Sequence, residues 1–566
     1  MRLLPTILAA MVLLGCQTTP PDYTALTERF DAGEELSPAR VREAFFETPD
    51  LPERIERLND LESQALAVVD DEPLKLGSIG TAILDSYVGS LTGHFVLTRF
   101  YEHVSNPKAD FHRGWVERIQ ADMESAGDGS MEQPYPAVTP AEARMYALSK
   151  GLSPVGSIYQ GNDDEGVEDD SFALLLRVRP EHGPLDNVVF DLTPLYDTMR
   201  QAFEAAERRT SKAKQPEAGG GDEDERGFTP FTLIGYLAKQ NDTAAQTAVG
   251  GFLISRNQLG DAVDWLRAAS RSGNLLAHSL LATIFLQQAR AAEDEEVRAQ
   301  ALDQVMENYL HAIALGSADA MYALGVLYLN GQYGDDNKDS GVPLLKQAAE
   351  LGYSDATMFL AHLHYTGEVV DKNLDAARRL YADAASQGNP FARKSYARFL
   401  LDREADQEGD PRVVEWLEEL AEEGEPESML LLGNLHARGV GTRPSIRRAV
   451  RYYKEAVEHS PKDPNIVNEV AWTLTVSDQQ RLRRERYARN IMDHLMESNQ
   501  QARQRPEYLD TWAATYAATG DFERAVALQE EAVDVAREAQ YEDVLDILLE
   551  HLDAFQSGET ISEAVP

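Results

Sequence analysis

The stretch that decides the fold is Ala320-Met-Tyr-Ala323-Leu324-Gly325-Val-Leu327-Tyr328, whose pattern of small and apolar positions returns every 36 residues. Copies follow at 356–364, 392–399 and 428–436. A fixed period of this length is typical of a solenoid, in which each repeat is a helical hairpin that packs on its neighbours. Such solenoids bind partners along an extended surface. The pattern therefore predicts the architecture but does not identify the partner.

A second regularity closes each repeat. Second helices are predicted between the patterns, for example over 341–351, 374–387 and 412–423. Each ends at a glycine four residues before the next pattern: Gly273, Gly316, Gly352, Gly388 and Gly424. Glycine adopts the left-handed backbone that ends a helix without a steric penalty, so these residues are expected to separate the helices.

The repeated unit resembles the Sel-one-like repeat family, a relative of the tetratricopeptide repeats. The residues that carry the resemblance are Ala320, Leu324, Gly325, Tyr328, Gly331, Ala348, Ala349 and Gly352. The third copy departs from it, with Ala397 and Arg403 in place of two glycines. Near the C-terminus, five small or aromatic residues have a spacing that closely resembles that of a tetratricopeptide repeat: Ala513, Tyr516, Gly520, Ala525 and Ala532.

The residues before the repeats predict a small α+β domain. Helical patterns cover 39–46, 51–69, 79–103 and 110–123, and two strand-like runs at 172–179 and 187–192 predict a hairpin. The motifs His112-Arg-Gly-Trp115, Gly127-Asp-Gly129 and Tyr135-Pro-Ala-Val138, with Glu142, resemble an uncharacterised bacterial domain family that accompanies tetratricopeptide-like repeats. That resemblance implies a fold and no reaction.

The predicted fold class is therefore mostly α, with a helical-hairpin solenoid preceded by a small α+β domain. The predicted segments are a lipoprotein signal peptide (1–15), a lipidated cysteine and tether (16–25), the α+β domain (26–205), an acidic, glycine-containing disordered linker (206–228), the Sel-one-like solenoid (229–460), tetratricopeptide-like repeats with a C-terminal cap (461–555) and a disordered tail (556–566). Because the linker has few apolar residues, the halves on either side are expected to be separate bodies.

The N-terminus predicts export and a lipid anchor. Met1 and Arg2 precede an apolar run over 3–14, which is typical of a secretory signal. Leu13-Leu14-Gly15-Cys16 resembles the lipobox of bacterial lipoproteins, which implies that Cys16 is lipidated. Gln17 follows where an aspartate would resemble the inner-membrane retention signal, so the resemblance implies an outer-membrane protein facing the periplasm. The alternative is a coincidental cysteine in an ordinary cleaved leader.

Composition narrows the classes of partner. The chain has 53 Lys and Arg against 95 Asp and Glu, a net charge of −42. An excess this acidic would repel phosphates and argues against nucleic acid as a partner. No phosphate-loop motif is present and no cofactor is expected. The charge favours a solvated acidic surface or a basic partner.

The predicted partner-binding surface lies on the first helices of the repeats. Its residues occupy two variable positions of each copy, together with one neighbour: Tyr322, Val326, Met358, His362, Arg393, Lys394, Arg398, Leu430 and Asn434. Arg393, Lys394 and Arg398 form a basic spot in an acidic chain, which is interpreted as an anchor for the partner. The alternative is that these residues are only exposed, or pack against the next repeat.

Candidate chemistry is confined to the first domain. His94, His103 and His112 are spaced nine residues apart, but that step turns a helix by ~180°, so His94 and His103 are expected to face opposite sides. Ser125 and Ser130 lie near His112 in sequence without a motif that marks an activated nucleophile. The sequence therefore predicts no catalytic residue and no metal ligand.

Three functional hypotheses remain open. The first is a membrane-anchored, non-enzymatic scaffold or adaptor that binds an unknown envelope protein through the repeats. The second is an envelope hydrolase or metal-dependent enzyme in the N-terminal domain, with the repeats recruiting the substrate. The third is a structural spacer without a specific ligand.

Overall fold

The computed structural model describes residues 22–161, 171–211, 228–333, 335–402 and 409–565. The chain divides into two compact units. The first comprises Met1–Leu327 and Gly331–Asp335, and the second comprises Tyr328–Asn330 and Asp336–Pro566. Cys16 and most of the predicted linker lie outside the described residues.

The first unit opens with a helical layer. Its helices are α1 (Tyr23–Asp31), α2 (Pro38–Phe46), α3 (Leu51–Val68), α4 (Leu76–Ser86), α5 (Leu91–His103) and α6 (Lys108–Ala126). The single helix predicted over 79–103 is wrong, because the chain leaves the helical conformation at Tyr87. Ser90 then starts α5 by accepting a hydrogen bond from Gly93 N at 3.0 Å. A serine that caps a new helix is the local signal for this break.

A four-stranded sheet follows the helical layer. Its elements are β1 (Tyr135–Pro136), α7 (Pro140–Ser149), β2 (Ser153–Gly161), β3 (Phe172–Arg179), β4 (Asp186–Asp191) and α8 (Thr193–Ser211). The strand order is β1-β4-β3-β2, with β1 parallel to β4 and the other pairs antiparallel. The predicted hairpin is thus the centre of a larger sheet. Sequence reasoning missed β2 because Pro154, Gly156 and Gly161 resemble turn residues, and the register indeed shifts between Pro154 and Gly156.

One face of strand β3 is completely buried. Alternate residues of β3 have no exposed surface: Phe172, Leu174, Leu176 and Val178. This period of two is what places one face of a strand in a core. Asn187 on β4 pairs with Arg177 on the opposite, more exposed face.

The first repeat helices pack on this sheet. They are α9 (Pro230–Lys239), α10 (Thr243–Ser255), α11 (Leu259–Arg271), α12 (Leu275–Ala291) and α13 (Glu295–Ala314). Asn274 joins α12 to β2, since its side chain accepts from Ser157 N at 3.2 Å and donates to Ser157 O at 2.7 Å. The expectation of separate bodies on either side of the linker is therefore wrong: the sheet and the first repeat helices form one compact unit.

The remaining helices continue the hairpin arrangement. They are α14 (Ala318–Leu329), α15 (Gly341–Glu350), α16 (Ser354–Thr366), α17 (Leu374–Ser386), α18 (Pro390–Leu401), α19 (Pro411–Glu422), α20 (Pro426–Arg438), α21 (Ile446–His459), α22 (Pro464–Val476), α23 (Glu485–Ser498), α24 (Pro506–Ala518), α25 (Phe522–Glu538) and α26 (Glu542–Gln556). The five predicted helix-ending glycines all have positive φ, between 79° and 96°, which confirms their role.

Small residues inside the repeats allow close helix packing. At Gly433 on α20, a Cβ atom would lie 2.3 Å from the ring of Tyr453 on α21. Tyr453 has no exposed surface, and its hydroxyl donates to Asn434 Oδ1 at 2.7 Å. The glycine of the repeat pattern is therefore required by contact between the two helices of one hairpin.

The C-terminal tail is ordered, so its prediction as disordered is wrong. Asp478 N donates to Glu563 O at 2.6 Å and Glu563 N donates to Val476 O at 2.8 Å. The indole of Trp472 also donates to the Glu563 carboxylate at 3.1 Å. Val565 is also buried. The tail is therefore held by backbone pairing and by an apolar contact, neither of which its polar composition predicts. Of the helices described, none combines the length and apolar character needed to cross a bilayer.

Candidate functional site

A groove in the second unit is the principal candidate site. It is lined by α18, α20 and α22, which are the first helices of successive hairpins, and by the residues that precede them. Its volume is about 660 Å³. A smaller cavity of about 270 Å³ adjoins it through Arg398 and Asp402, which line both. Tyr365 donates a hydrogen bond to Asp402 there. We call the larger cavity the repeat groove.

The repeat groove has an apolar floor and an acidic rim. Its apolar residues are Leu401, Pro426, Leu430, Leu431 and Ile466. Its ionisable residues are five carboxylates and one guanidinium: Asp402, Glu425, Glu427, Asp463, Glu469 and Arg398. Glu469 is exposed to solvent, and desolvation by the neighbouring protein raises the pKa of its carboxyl. Because Lys394 and Arg398 neutralise Glu425 and Glu427, the attraction of the groove for cations comes mainly from Asp463 and Glu469.

Two of the rim carboxylates, Asp463 and Glu425, lie at helix starts. Asp463 precedes Pro464 and accepts hydrogen bonds from Asn465 N at 2.9 Å and Ile466 N at 3.4 Å. Glu425 likewise accepts from Ser428 N at the start of α20. An acidic cap before proline stabilises the first turn of a helix, so these residues have a structural role as well.

The predicted basic spot is electrostatically neutralised. Lys394 lies 3.0 Å from Glu425 and 2.7 Å from Glu427, with only 14% of its side chain exposed. Arg393 pairs with Glu419 at 2.8 Å, and Arg398 pairs with Glu427. Each of the three cations pairs with a carboxylate of α19, or at the start of α20, so none is left uncompensated, and their role as an anchor for a partner stays a prediction. They connect neighbouring repeats.

The predicted binding residues do not all lie at one site. Arg398, Leu430 and Asn434 line the repeat groove. Met358 and His362 lie on α16, His362 exposed and Met358 partly buried. The remaining two, Tyr322 and Val326, are partly buried residues of the first unit. Binding by any of these residues stays a prediction.

The sequence interpretation missed the groove carboxylates. Glu425, Glu427 and Asp463 lie just before the small-apolar pattern, Glu469 lies at its start and Asp402 lies just after it, whereas the predicted surface used only positions inside the pattern. The acid-proline pairs Glu425-Pro426 and Asp463-Pro464 were the available signal, because they mark helix starts that face the same groove.

In the first unit, two of the three candidate histidines meet in the core. His94 Nε2 lies 3.0 Å from Val88 O, and the two Nδ1 atoms of His94 and His112 are 3.0 Å apart. If His94 carries its proton on Nε2, His112 donates from Nδ1. Burial lowers the pKa of His94 to about 3 and that of His112 to about 4, so both are neutral at pH 7. We call them the histidine pair.

The geometry around the histidine pair is that of a core. Both rings are buried, whereas His103 is exposed, which confirms that His94 and His103 face opposite sides. Within the described residues, no group of three or more His, Cys, Asp or Glu side chains could hold a metal ion. Ser125 donates to the Asp122 carbonyl at 2.8 Å and Ser130 accepts from Gln133 N at 3.1 Å, so each serine bonds within its own turn.

A buried carboxyl pair connects two helix starts beside this core. Glu62 accepts from Ser90 Oγ at 2.8 Å and from Thr139 Oγ1, the caps of α5 and α7. Glu142 accepts from Leu91 N at 3.1 Å and Val138 N at 2.8 Å. Burial, reinforced by the charge of Glu142, raises the pKa of Glu62 to about 8. Burial raises the pKa of Glu142 as well, but the two backbone donors oppose that rise, so Glu62 is the member of the pair that holds the proton at neutral pH.

Comparison with known families identifies the repeats. Three segments match the Sel1 repeat, at residues 318–353, 354–389 and 426–460. The chain therefore carries Sel1 repeats, as its 36-residue period predicts. The matched segments leave out 390–425, the copy in which Ala397 replaces the glycine. Among curated proteins, none matches the chain.

Several solved structures are similar to the chain. A Sel1 repeat protein from Oxalobacter formigenes is 21% identical, covers 44% of this chain and 99% of its own length, and has a TM-score of 0.34. The protective antigen c5321 of uropathogenic Escherichia coli, described as an SLR fold, is 16% identical over 96% of this chain and 99% of its own, with a TM-score of 0.41. Yeast Tom70 is 12% identical over 95% and 94%, with a TM-score of 0.31.

Proposed function

We propose that this protein is a lipid-anchored scaffold of the bacterial envelope that binds a partner protein in the repeat groove. The observation that carries the proposal is the composition of the groove, in which five carboxylates and one guanidinium surround an apolar floor. Sel1 repeats suggest a protein-binding scaffold, and the groove adds the chemistry of the bound segment. That segment is a polypeptide carrying lysine or arginine beside an apolar residue.

Both parts of the groove contribute to this specificity. Apolar side chains on the floor, such as Leu430 and Ile466, gain about 25 cal/mol for each Å² that a partner removes from water. The carboxylates of Asp463 and Glu469 have no ion-pair partner among the described residues, so a cation would meet them without breaking an existing pair. The same charge accelerates encounter with a basic partner at low salt.

The test uses a labelled nine-residue peptide that alternates lysine and leucine, with the full-length chain and fluorescence anisotropy. We expect saturable binding that weakens as salt rises. A peptide with glutamate in place of lysine, and one with serine in place of leucine, are the two matched controls. Equal binding of the glutamate peptide would show that the carboxylates do not select the partner.

The paired variants Asp463→Asn and Glu469→Gln, made together, remove two rim charges. Asparagine keeps the helix cap, so α22 should retain its start. We expect about twofold to thirtyfold weaker binding of the lysine–leucine peptide, because two exposed pairs together contribute ~0.4–2 kcal/mol. The control is Glu415→Gln with Glu422→Gln, which removes the same charge from exposed positions on α19 outside the groove. Equal weakening by both double variants would reject the groove.

The proposed location rests on Cys16 and the leader before it. We propose that Cys16 carries the lipid anchor and that the protein faces the periplasm from the outer membrane. Membrane fractionation of cells expressing the full chain or Cys16→Ser tests this. We expect the native chain in the outer-membrane fraction and the variant outside it. Retention of the Cys16→Ser protein in that fraction would contradict lipid anchoring at this residue while leaving the groove unaffected.

A further inference from the structure

A second cavity lies within the first unit. Its volume is about 750 Å³, and α3, β2, α8 and α9 enclose it with the starts of α7 and α10. Pockets for small molecules typically measure about 300–1,000 Å³. We call it the first-unit cavity. Nothing in its sequence marks it, because its lining comes from residues between 52 and 243.

The inner wall contains polar atoms that lack partners. Tyr159 is only 3% exposed, and its hydroxyl and Arg144 Nη2 have no acceptor within 3.5 Å among the described residues, although the Asp242 carboxylate lies near both groups. Asp242 lies 3.7 Å from Arg144 Nη2, which is an ion-pair distance but a long one. Burial and then the charge of Asp242 raise the pKa of the Tyr159 hydroxyl, so it is a neutral donor. Buried donors without acceptors are unfavourable, and an occupant that accepts from them is stabilised.

The outer wall is acidic on one side and apolar on the other. Glu53, Glu56 and Asp60 follow one another at helical spacing on α3 and are exposed at the cavity. None of the three has an ion-pair partner in the described part of the chain. Across the cavity, Met199 and Leu233 contribute apolar surface. A cation with an apolar body would contact the carboxylates with its charge and the apolar side chains with its body.

We infer that the first-unit cavity binds a small organic cation that also carries a carbonyl oxygen. The ammonium group contacts the α3 carboxylates, the apolar body lies against the half-buried Met199, and the carbonyl accepts from Arg144 Nη2 or the Tyr159 hydroxyl. A lysine residue within a peptide fragment has all three features, whereas a simple alkylamine has only the first two. The cavity is distinct from the repeat groove, which belongs to the other unit.

The test compares two probes that differ in one charge. They are Nα-acetyl-lysine methylamide and its Nε-acetylated form, titrated against the full chain by saturation-transfer NMR. We expect binding of the first and at least fivefold weaker binding of the second, because acetylation removes the charge. Hexylamine, which lacks a carbonyl, tests whether the natural ligand is a peptide or a free amine. Weaker binding of hexylamine than of the lysine probe indicates a peptide. Equal binding indicates a free amine and removes the role assigned to Arg144 and Tyr159.

Variants assign the binding to this cavity. The triple variant Glu53→Gln, Glu56→Gln and Asp60→Asn should weaken the lysine probe about tenfold. The control variant Glu28→Gln, Glu43→Gln and Asp71→Asn removes the same charge from exposed positions outside the cavity and should not.

Tyr159→Phe removes only the unpartnered hydroxyl, so the fold should persist while binding weakens severalfold. The groove variant Asp463→Asn with Glu469→Gln should leave the probe unaffected. Unchanged binding in the triple variant, equal loss in the two triple variants, or equal binding of both probes would overturn the inference. None of these outcomes decides whether the repeat groove binds its peptide.

Discussion

Replacing Glu62 with glutamine should stabilise the first unit at alkaline pH, although it alters a fully buried side chain that accepts two hydrogen bonds. The pKa of Glu62 is raised from 4.5 to about 8 because burial and the charge of Glu142 disfavour ionisation. A carboxyl with a raised pKa contributes stability below pH 4.5, and that stability is lost as pH rises to about 8. Glutamine imitates the protonated form at every pH.

The size of the effect follows from the same shift. At ~1.4 kcal/mol for each pKa unit, ionising Glu62 in the folded chain costs at most about 5 kcal/mol. Relaxation around the carboxylate reduces this, so we expect Glu62→Gln to gain about 2–4 kcal/mol at pH 8.5. At pH 5 the gain should be small, since the carboxyl of the unfolded chain, with its pKa of 4.5, has only begun to ionise. The gain should therefore grow with pH.

Calorimetric unfolding of the full chain between pH 5 and 9 measures this, with hydrogen exchange across α5 assigning the transition to the first unit. Glu142→Gln is the matched control, because it makes the same chemical change but is expected to lower the stability of the first unit. Glutamine has one acceptor oxygen, so either Leu91 N or Val138 N would lose its partner. A loss of stability in Glu62→Gln at pH 8.5, or an unchanged dependence on pH, would refute the assignment of the proton to Glu62.

Three further predictions concern other parts of the chain. The histidine pair is neutral in the fold, so the first-unit stability of the Glu62→Gln variant, which lacks the opposing titration of Glu62, should fall as pH drops from 6.5 towards 4; calorimetry showing no loss would contradict the lowered pKa values. Gly433→Ala should destabilise the second unit by about 1–3 kcal/mol in urea unfolding, whereas Gly251→Ala, at a helical glycine of α10 with no atom within 4 Å of the added methyl, should not be destabilising; equal losses would show that close packing is not the cause. Deleting 560–566 should speed amide exchange at Asp478, and unchanged exchange would show that the tail does not protect it.

The sequence determines the repeat helices well because each one depends on neighbours only one period away. The positive φ of Gly316 and Gly352 and the contact of Gly433 with Tyr453 are local consequences of the pattern. The ordered tail depends instead on contacts with Trp472, about 90 residues earlier in the chain. Long-range contacts of this kind leave no periodic signal, which is why the tail was predicted to be disordered.

The candidate sites were less accessible to sequence reasoning for a related reason. Charge composition shows that the chain is acidic, but it does not show which carboxylates remain available. Lys394 looked like an exposed anchor until the structure placed Glu425 and Glu427 beside it. Asp463 and Glu469 looked unremarkable because their significance comes from facing α20 across the repeat groove. Pairing between neighbouring repeats, rather than residue type, decides which charge a partner meets.

The most direct test of the account is the affinity of the lysine–leucine peptide for Arg398→Gln, measured beside the native full-length chain by fluorescence anisotropy. Arg398 supplies the only guanidinium among the described residues that line the repeat groove. If the groove selects a cationic segment, removing this charge should tighten binding about twofold to fivefold. Weaker binding in Arg398→Gln would make the arginine the anchor and contradict the proposed acidic groove.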